Sequence, residues 1–292
     1  MDRGESIHVR GDKGGVALKS EFSKVTIFRA IIGCGIIQVL MAMMSQWMSA
    51  SAVIELSWGV EAICYFMMSA YIVWQSTYRL KTFKKDIEGL QNKELLLCVL
   101  LVFMTQYFMS VGGYQVVLSI LFYTNERLAI QVYEEPLLRF SSQQDLLFAC
   151  ITVSILVPIF EEFLFRGVIL SRFMNWFSMI GALGLMALCF GVLHGVDFIG
   201  ATIFGFLCGM LYLKFENIWA PILVHLLNNA LTCLSFSLRQ EVHPSLATLT
   251  QSYIDHQFKE GLVLLSVGMI LLFFTIKRLN LVLSLIHISE PT

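Results

Sequence analysis

The apolar run Ile159-Phe160-Glu161-Glu162-Phe163-Leu164-Phe165-Arg166 holds two carboxylates and a guanidinium within six positions. A charged side chain at the centre of a bilayer costs about 2.5–3.5 kcal/mol even on the lenient insertion scale, so such a cluster needs partners or a task. On a helix, Glu162 and Arg166 are spaced i, i+4, share a face and can pair. Glu161 is turned about 100° away and is not consumed by that pair. A carboxylate in an apolar pocket suits a general base that takes a proton from water near neutral pH. The plainer reading of Glu162 and Arg166 is a buried ion pair that locks helix packing.

Six histidines are present, and only His194 and His225 fall in or beside apolar stretches. Glu161 lies about sixteen residues before the turn expected near Phe177-Ser178, and His194 about sixteen after it. In an antiparallel hairpin that spacing sets the two at one depth. His225 and Asn229 are i, i+4 and share a helical face, while Pro221 one turn earlier fits a helix start. A single histidine in a span is usually a packing or hydrogen-bonding residue. Two of them, with a carboxamide and an uncommitted carboxylate that can converge, point to a functional site.

The elements that must position these groups follow from composition. Of 292 residues, 57% are hydrophobic and 14% charged, with mean hydropathy +0.73. Soluble domains carry about 25% charged residues, so the expected class is an all-α, polytopic membrane protein. Eight apolar stretches of spanning length are read at about 26–50, 52–74, 95–122, 145–170, 179–195, 197–213, 218–237 and 260–277. Gly112-Gly113 is expected to tilt or break the third, and Pro158 to free the Ser154 carbonyl in the fourth. The fifth and sixth form a tight hairpin through His194-Gly195-Val196-Asp197.

With the N-terminus inside, the twenty Lys and Arg residues divide sixteen to four in favour of the cytoplasmic side. The expected location is therefore a multi-pass protein of the plasma membrane with both termini cytoplasmic. The N-terminal stretch lacks the pattern of a cleaved signal peptide. Five segments are expected: a cytoplasmic stretch 1–25, N-terminal spans and loops 26–140, a core 141–240, a last loop and span 241–280, and a tail 281–292 that reads as foreign to the fold. The seven cysteines lie in apolar runs without CxxC spacing and read as small buried hydrophobes. Glu55 and Glu61 are expected at the bundle interior or interface, Asp197 and Glu216 at span ends. No basic tract supports nucleic-acid binding. The expected partners are membrane lipids and a membrane-associated protein or peptide substrate.

Three ordered motifs now stand out: Glu161-Glu162-x-x-x-Arg166, Phe190-x-x-x-His194 and His225-x-x-x-Asn229. Together, on successive spans, they resemble those of the CPBP family, the CAAX-protease and bacteriocin-processing (Abi) group that includes type II CAAX prenyl endopeptidases. The resemblance covers roughly residues 145–235. It implies a CAAX-protease-like helical bundle with a water-filled cavity, acting as an intramembrane endopeptidase, with links to bacteriocin processing or self-immunity among bacterial members. It also implies roles: Glu161 activates water with help from His194, His225 and Asn229 hold the oxyanion, and Glu162 and Arg166 support the site. No cofactor is expected, although Glu161, His194 and His225 form a His₂Glu set of the kind that binds zinc. Two other readings are a non-catalytic regulator or immunity protein that binds a partner, and a transporter using Glu161 and the histidines as a proton relay. The transporter would call for an inverted repeat, which the sequence lacks.

Overall fold

The computed structural model describes residues 21–22, 24–50, 57–134, 143–240 and 250–279. Most of the stretch before residue 25, Glu55, and the tail 281–292 lie outside them. Among the described residues every regular element is helical. The order is α1 (Ile27–Ala50), α2 (Ser57–Gln75), α3 (Leu80–Gly89), α4 (Lys93–Thr124) and α5 (Glu126–Glu134). Then come a long composite helix α6 (143–173), α7 (Met179–Val192), α8 (Phe198–Phe215), α9 (Trp219–Gln240) and α10 (Gln251–Leu279).

Each stretch read as a span holds a helix, and among the described residues length and apolarity alone qualify five: Ile27–Met44, Lys93–Thr124, Leu146–Phe173, Phe198–Phe215 and Gln251–Leu279. Of the others, α7 has 14 residues, and α9 carries His225, Asn228 and Asn229 among its apolar side chains. Two helices were not expected. Both α3 and α5 are polar and amphipathic, so a search for continuous apolar runs passes over them.

Helices α4 and α10 run antiparallel. Glu94 pairs with Arg278 at one end, Thr105 and Thr275 share a hydrogen bond at 2.9 Å, and Tyr123 donates to Asp255 at the other. The expected break at Gly112-Gly113 does not occur, since α4 is continuous from Lys93 to Thr124. Gly112 instead permits close approach: a Cβ there would stand 2.7 Å from the Leu265 backbone nitrogen and 2.8 Å from the Gly261 carbonyl. Small residues of this kind let helix backbones touch in a membrane. Lys214 ties α8 into the same end through Glu94 at 3.0 Å and the Arg278 carbonyl at 2.9 Å.

Helix α6 packs against α1, α2, α7 and α9 and is irregular in a way that bears on the site. Its α segments Gln143–Ile151, Val157–Glu162 and Ser171–Phe173 alternate with π segments Thr152–Leu156 and Phe163–Leu170. Such π turns are rare and concentrate at functional sites. The turn after α6 lies where the sequence put it, with the Ser178 hydroxyl capping α7 through the Gly181 amide at 3.3 Å. Between α7 and α8 the chain reverses through Gly195–Asp197, and Gly195 adopts φ +57°, a conformation glycine takes without strain.

Candidate active site

Glu161 and Glu162 occupy the short α segment between the two π segments of α6. Their side chains lead different lives. Glu162 is fully buried and accepts from Arg166 Nη1 at 2.8 Å, as the i, i+4 spacing anticipates. The same Oε1 lies 2.9 Å from His225 Nδ1. Arg166 is also fully buried; its Nη2 donates to the Gly205 carbonyl at 3.3 Å, and its guanidinium lies over the Phe190 ring at 4.8 Å and the Phe204 ring at 5.8 Å. The charge is therefore held by a carboxylate, a carbonyl and two π faces.

Glu161 keeps 20% of its side-chain surface exposed, and its Oε2 makes no hydrogen bond while standing 3.8 Å from His225 Nε2. That gap is too long for a direct bond and suits a bridging water. One imidazole thus faces both glutamates, Nδ1 toward the paired one and Nε2 toward the uncommitted one.

Hydrogen-bond partners fix the tautomers. A carbonyl can only accept, so the 2.7 Å contact between His194 Nδ1 and the Phe190 carbonyl places a proton on Nδ1 and leaves Nε2 for other chemistry. Glu162, already paired with Arg166, accepts from His225, which places a proton on Nδ1 there as well. A neutral His225 would then offer only a lone pair at Nε2. It can donate from Nε2 only as the imidazolium.

Phe190 is the wall shared by these groups. Its ring centroid lies 4.4 Å from that of His194, 6.1 Å from that of His225 and 4.9 Å from that of Phe165. Phe204 adds an edge-to-face contact with His225 at 4.9 Å. His194 itself is half-buried, at the end of α7.

Asn229 has a partner the sequence reading did not give it. Its Nδ2 donates to the Val153 carbonyl at 2.9 Å. The cause lies in the register of α6. Val157 N–H reaches back five residues to the Thr152 carbonyl, so in the same register the next donor, position 158, should serve Val153. Position 158 is proline and has no N–H. The carbonyl that Pro158 orphans is therefore that of Val153, not of Ser154 as an α register would have it. The second amide hydrogen of Asn229 is not used by this bond. Asn228 donates to Asn229 Oδ1 at 3.3 Å and completes a small amide chain.

Glu161, Glu162, Arg166, His194 and His225 thus gather around Phe190 from α6, α7 and α9, with Asn229 one turn further along α9. Among the described residues no three His, Cys, Asp or Glu side chains are grouped so as to hold a metal ion. Sequence reasoning missed Phe204, Gly205 and Val153. Only Val153 had a signal, in the proline five residues on. Elsewhere, Glu61 is exposed on α2, Asp197 ends the hairpin turn, and Glu216 sits exposed after α8 at φ 47°. Among the described residues no cysteine is in a disulfide, and all seven are at least half-buried.

Residues 143–231 match the family model described as Type II CAAX prenyl endopeptidase Rce1-like. That stretch contains α6, α7, α8 and the part of α9 that bears His225 and Asn229, and so all three motifs. No curated protein and no solved structure matches the chain. Over this stretch the chain is similar to that family, and its long apolar helices are those of an integral membrane protein.

Proposed function

We propose that the chain is a glutamate-dependent intramembrane endopeptidase that cleaves a membrane-associated peptide or protein with water, without a metal ion. In this reading Glu161 takes a proton from a water between it and the imidazoles, and the water oxygen attacks the scissile carbonyl carbon. The carbonyl electrons move to oxygen, and that oxyanion is met by His225 Nε2–H and by the unused amide hydrogen of Asn229. Collapse of the intermediate breaks the C–N bond, and the proton held by Glu161 passes to the leaving amine. His194, oriented by the Phe190 carbonyl, accepts a hydrogen bond from the water through Nε2.

The single observation that carries this reading is the difference between the two adjacent carboxylates. Glu162 commits its Oε1 to both Arg166 and His225 while its Oε2 has no partner, whereas Glu161 pairs with no cation and its unbonded Oε2 stands 3.8 Å from His225 Nε2. Charge balance supports an imidazolium at His225. With Arg166 positive and both glutamates ionised, a neutral ring leaves the buried cluster at net −1, and a proton shared between Glu161 and His225 removes that charge. A preorganised donor aimed at developing oxyanion charge is worth about 10²–10³ in rate. A regulator that keeps the motifs for packing alone would need Glu162 and Arg166 but would have no use for an unbonded carboxylate at position 161.

The Lys and Arg distribution supports a plasma-membrane protein with the N-terminus and α10 end on the cytoplasmic side. The test is cleavage of a lipid-anchored fluorogenic peptide by purified protein in vesicles. Cleavage that withstands 1,10-phenanthroline and EDTA, and vanishes in E161Q, is the expected result. Chelator-sensitive cleavage, or cleavage retained in E161Q, would overturn the mechanism.

A further inference from the structure

A concave feature lies where α2 ends and α3 begins, and it shares no residue with the candidate active site. It is a cleft of about 450 Å³ walled by Val73, Trp74, Leu80, Phe83, Phe163 and Trp219. Its polar edge is already satisfied. The Tyr78 hydroxyl donates to Asp86 Oδ2 at 3.0 Å and accepts from Trp219 Nε1 at 2.9 Å, and Asn217 donates to the Asp86 carbonyl at 2.7 Å. What remains open to a guest is hydrocarbon and aromatic surface.

One wall of the cleft is α3, whose sequence sorts into two faces. Leu80, Phe83 and Ile87 recur at i, i+3 and i+7, while Lys81, Lys84, Lys85 and Glu88 occupy the other side. Leu80 is 67% exposed and Trp74 at the cleft mouth 73% exposed. Lys81, Lys84, Lys85 and the adjoining Arg79 are all exposed, and none of the lysines forms an ion pair among the described residues. Amphipathic helices with aliphatic and aromatic residues on one side and lysines on the other lie in the headgroup plane, with their apolar face in the acyl boundary. Here that plane contains a hole of ligand size with Arg79 in its lining and the three lysines on the neighbouring face of α3, within reach of its mouth by their long side chains.

We propose that this cleft binds one anionic phospholipid of the surrounding bilayer, with an acyl chain between Phe83, Phe163 and Trp219 and the phosphate held by Arg79 and the α3 lysines. Charge decides the occupant. A zwitterionic lipid would fill the walls equally well but gain little from four cations opposed on α3 only by exposed Glu88 and hydrogen-bonded Asp86. Each cation near the surface adds about 1 kcal/mol of attraction to an anionic headgroup, about fivefold in affinity.

The experiment uses the full chain in phosphatidylcholine nanodiscs doped with either dibrominated phosphatidylglycerol or dibrominated phosphatidylcholine, and reads tryptophan quenching by the bromines. The expected result is stronger quenching by the glycerol lipid at equal mole fraction. The preference should fall at least about fivefold in K81Q/K84Q/K85Q, the loss of at least one full cation's attraction. It should vanish in W74F/W219F, which removes the reporters at the cleft, with thermal unfolding confirming that each variant is folded. Equal quenching by the two lipids overturns the proposal, as does a preference untouched by the lysine changes. A preference that survives loss of Trp74 and Trp219 places the lipid elsewhere and also overturns it. So does displacement of the brominated lipid by an unbrominated lipid-modified peptide, which would make the cleft part of a substrate path. E161Q should keep the same preference, so failure of the peptidase assay leaves this result standing.

Discussion

His225 Nδ1 and Glu162 Oε1 stand 2.9 Å apart across the interface of α9 and α6, and the same oxygen accepts from Arg166 at 2.8 Å. One carboxylate oxygen therefore sets the orientation of the imidazole, fixes which of its nitrogens carries the proton, and neutralises a guanidinium.

Losing the Glu162 charge should cost more than losing the whole ion pair. E162Q leaves a buried Arg166 uncompensated, which costs about 3–5 kcal/mol, whereas apolar replacement of both partners is often near neutral. The unfolding midpoint of E162Q in detergent should thus fall sharply, and that of E162M/R166M should fall less than the sum of the single changes. The double variant should still lose peptide cleavage, because His225 has lost its acceptor. Additive destabilisation would show that the two residues do not act as a pair.

The neighbouring position should respond in the opposite sense. E161Q removes the base but breaks no hydrogen bond of Oε2, because that atom has none. Cleavage should drop by about 10²–10⁴, the usual contribution of a general base, with no fall in the unfolding midpoint. Loss of both activity and stability would mean that Glu161 is a packing residue.

Much of this was legible in the sequence because periodicity carries it. The i, i+4 spacings of Glu162 with Arg166 and of His225 with Asn229 hold, and the turn between α6 and α7 falls where equal spacing of Glu161 and His194 requires. What periodicity cannot carry is register and partner choice. The π turns of α6 move the carbonyl orphaned by Pro158 from Ser154 to Val153, and only a neighbouring helix can say who satisfies it. Gly112 read as a weak point because glycine lowers helix propensity, yet its role belongs to α10, more than a hundred residues away. Helices α3 and α5 went unseen because a polar amphipathic helix at a membrane face lacks the apolar run that marks a span.

Adjacent glycines in α4 offer a matched comparison. A Cβ on Gly112 meets the α10 backbone at 2.7 Å, while one on Gly113 meets nothing within 4 Å. G112A should lower the unfolding midpoint, by the equivalent of about 1–3 kcal/mol for overpacking. G113A should leave it unchanged or raise it, since alanine is favoured over glycine in a helix by roughly 0.5–1 kcal/mol. Equal behaviour of the two variants would mean that α4 and α10 are not in backbone contact at Gly112.

Asp86 makes stability depend on pH. Burial raises its carboxyl from 3.8 to about 6; the Tyr78 hydroxyl lowers it, Glu21 raises it and Lys85 lowers it. A folded-state value above the unfolded one means that the native state holds the proton more tightly. The stabilisation is full below about pH 3.8 and is lost as pH rises to about 6. D86N keeps an acceptor for Tyr78 and cannot ionise. Its midpoint relative to the native chain should therefore climb between pH 4 and 6 and level off above. A difference that stays flat with pH would place Asp86 in contact with water.

The bond between Asn229 and Val153 can be tested by restoring what proline removed. N229A leaves the Val153 carbonyl without a donor in the interior, a loss of about 1–3 kcal/mol. P158A returns a backbone N–H at the position that the π register aims at that carbonyl. In an otherwise native chain this N–H competes with Asn229 and gains little. In N229A it should recover much of the loss, so P158A/N229A should be more stable than the two single changes predict by addition. The cycle is read from unfolding midpoints in one detergent, with infrared or hydrogen-exchange signals from α6 reporting on the helix itself. If the changes add, Asn229 does not compensate for the proline, and its amide is free to face the reacting carbonyl with both hydrogens.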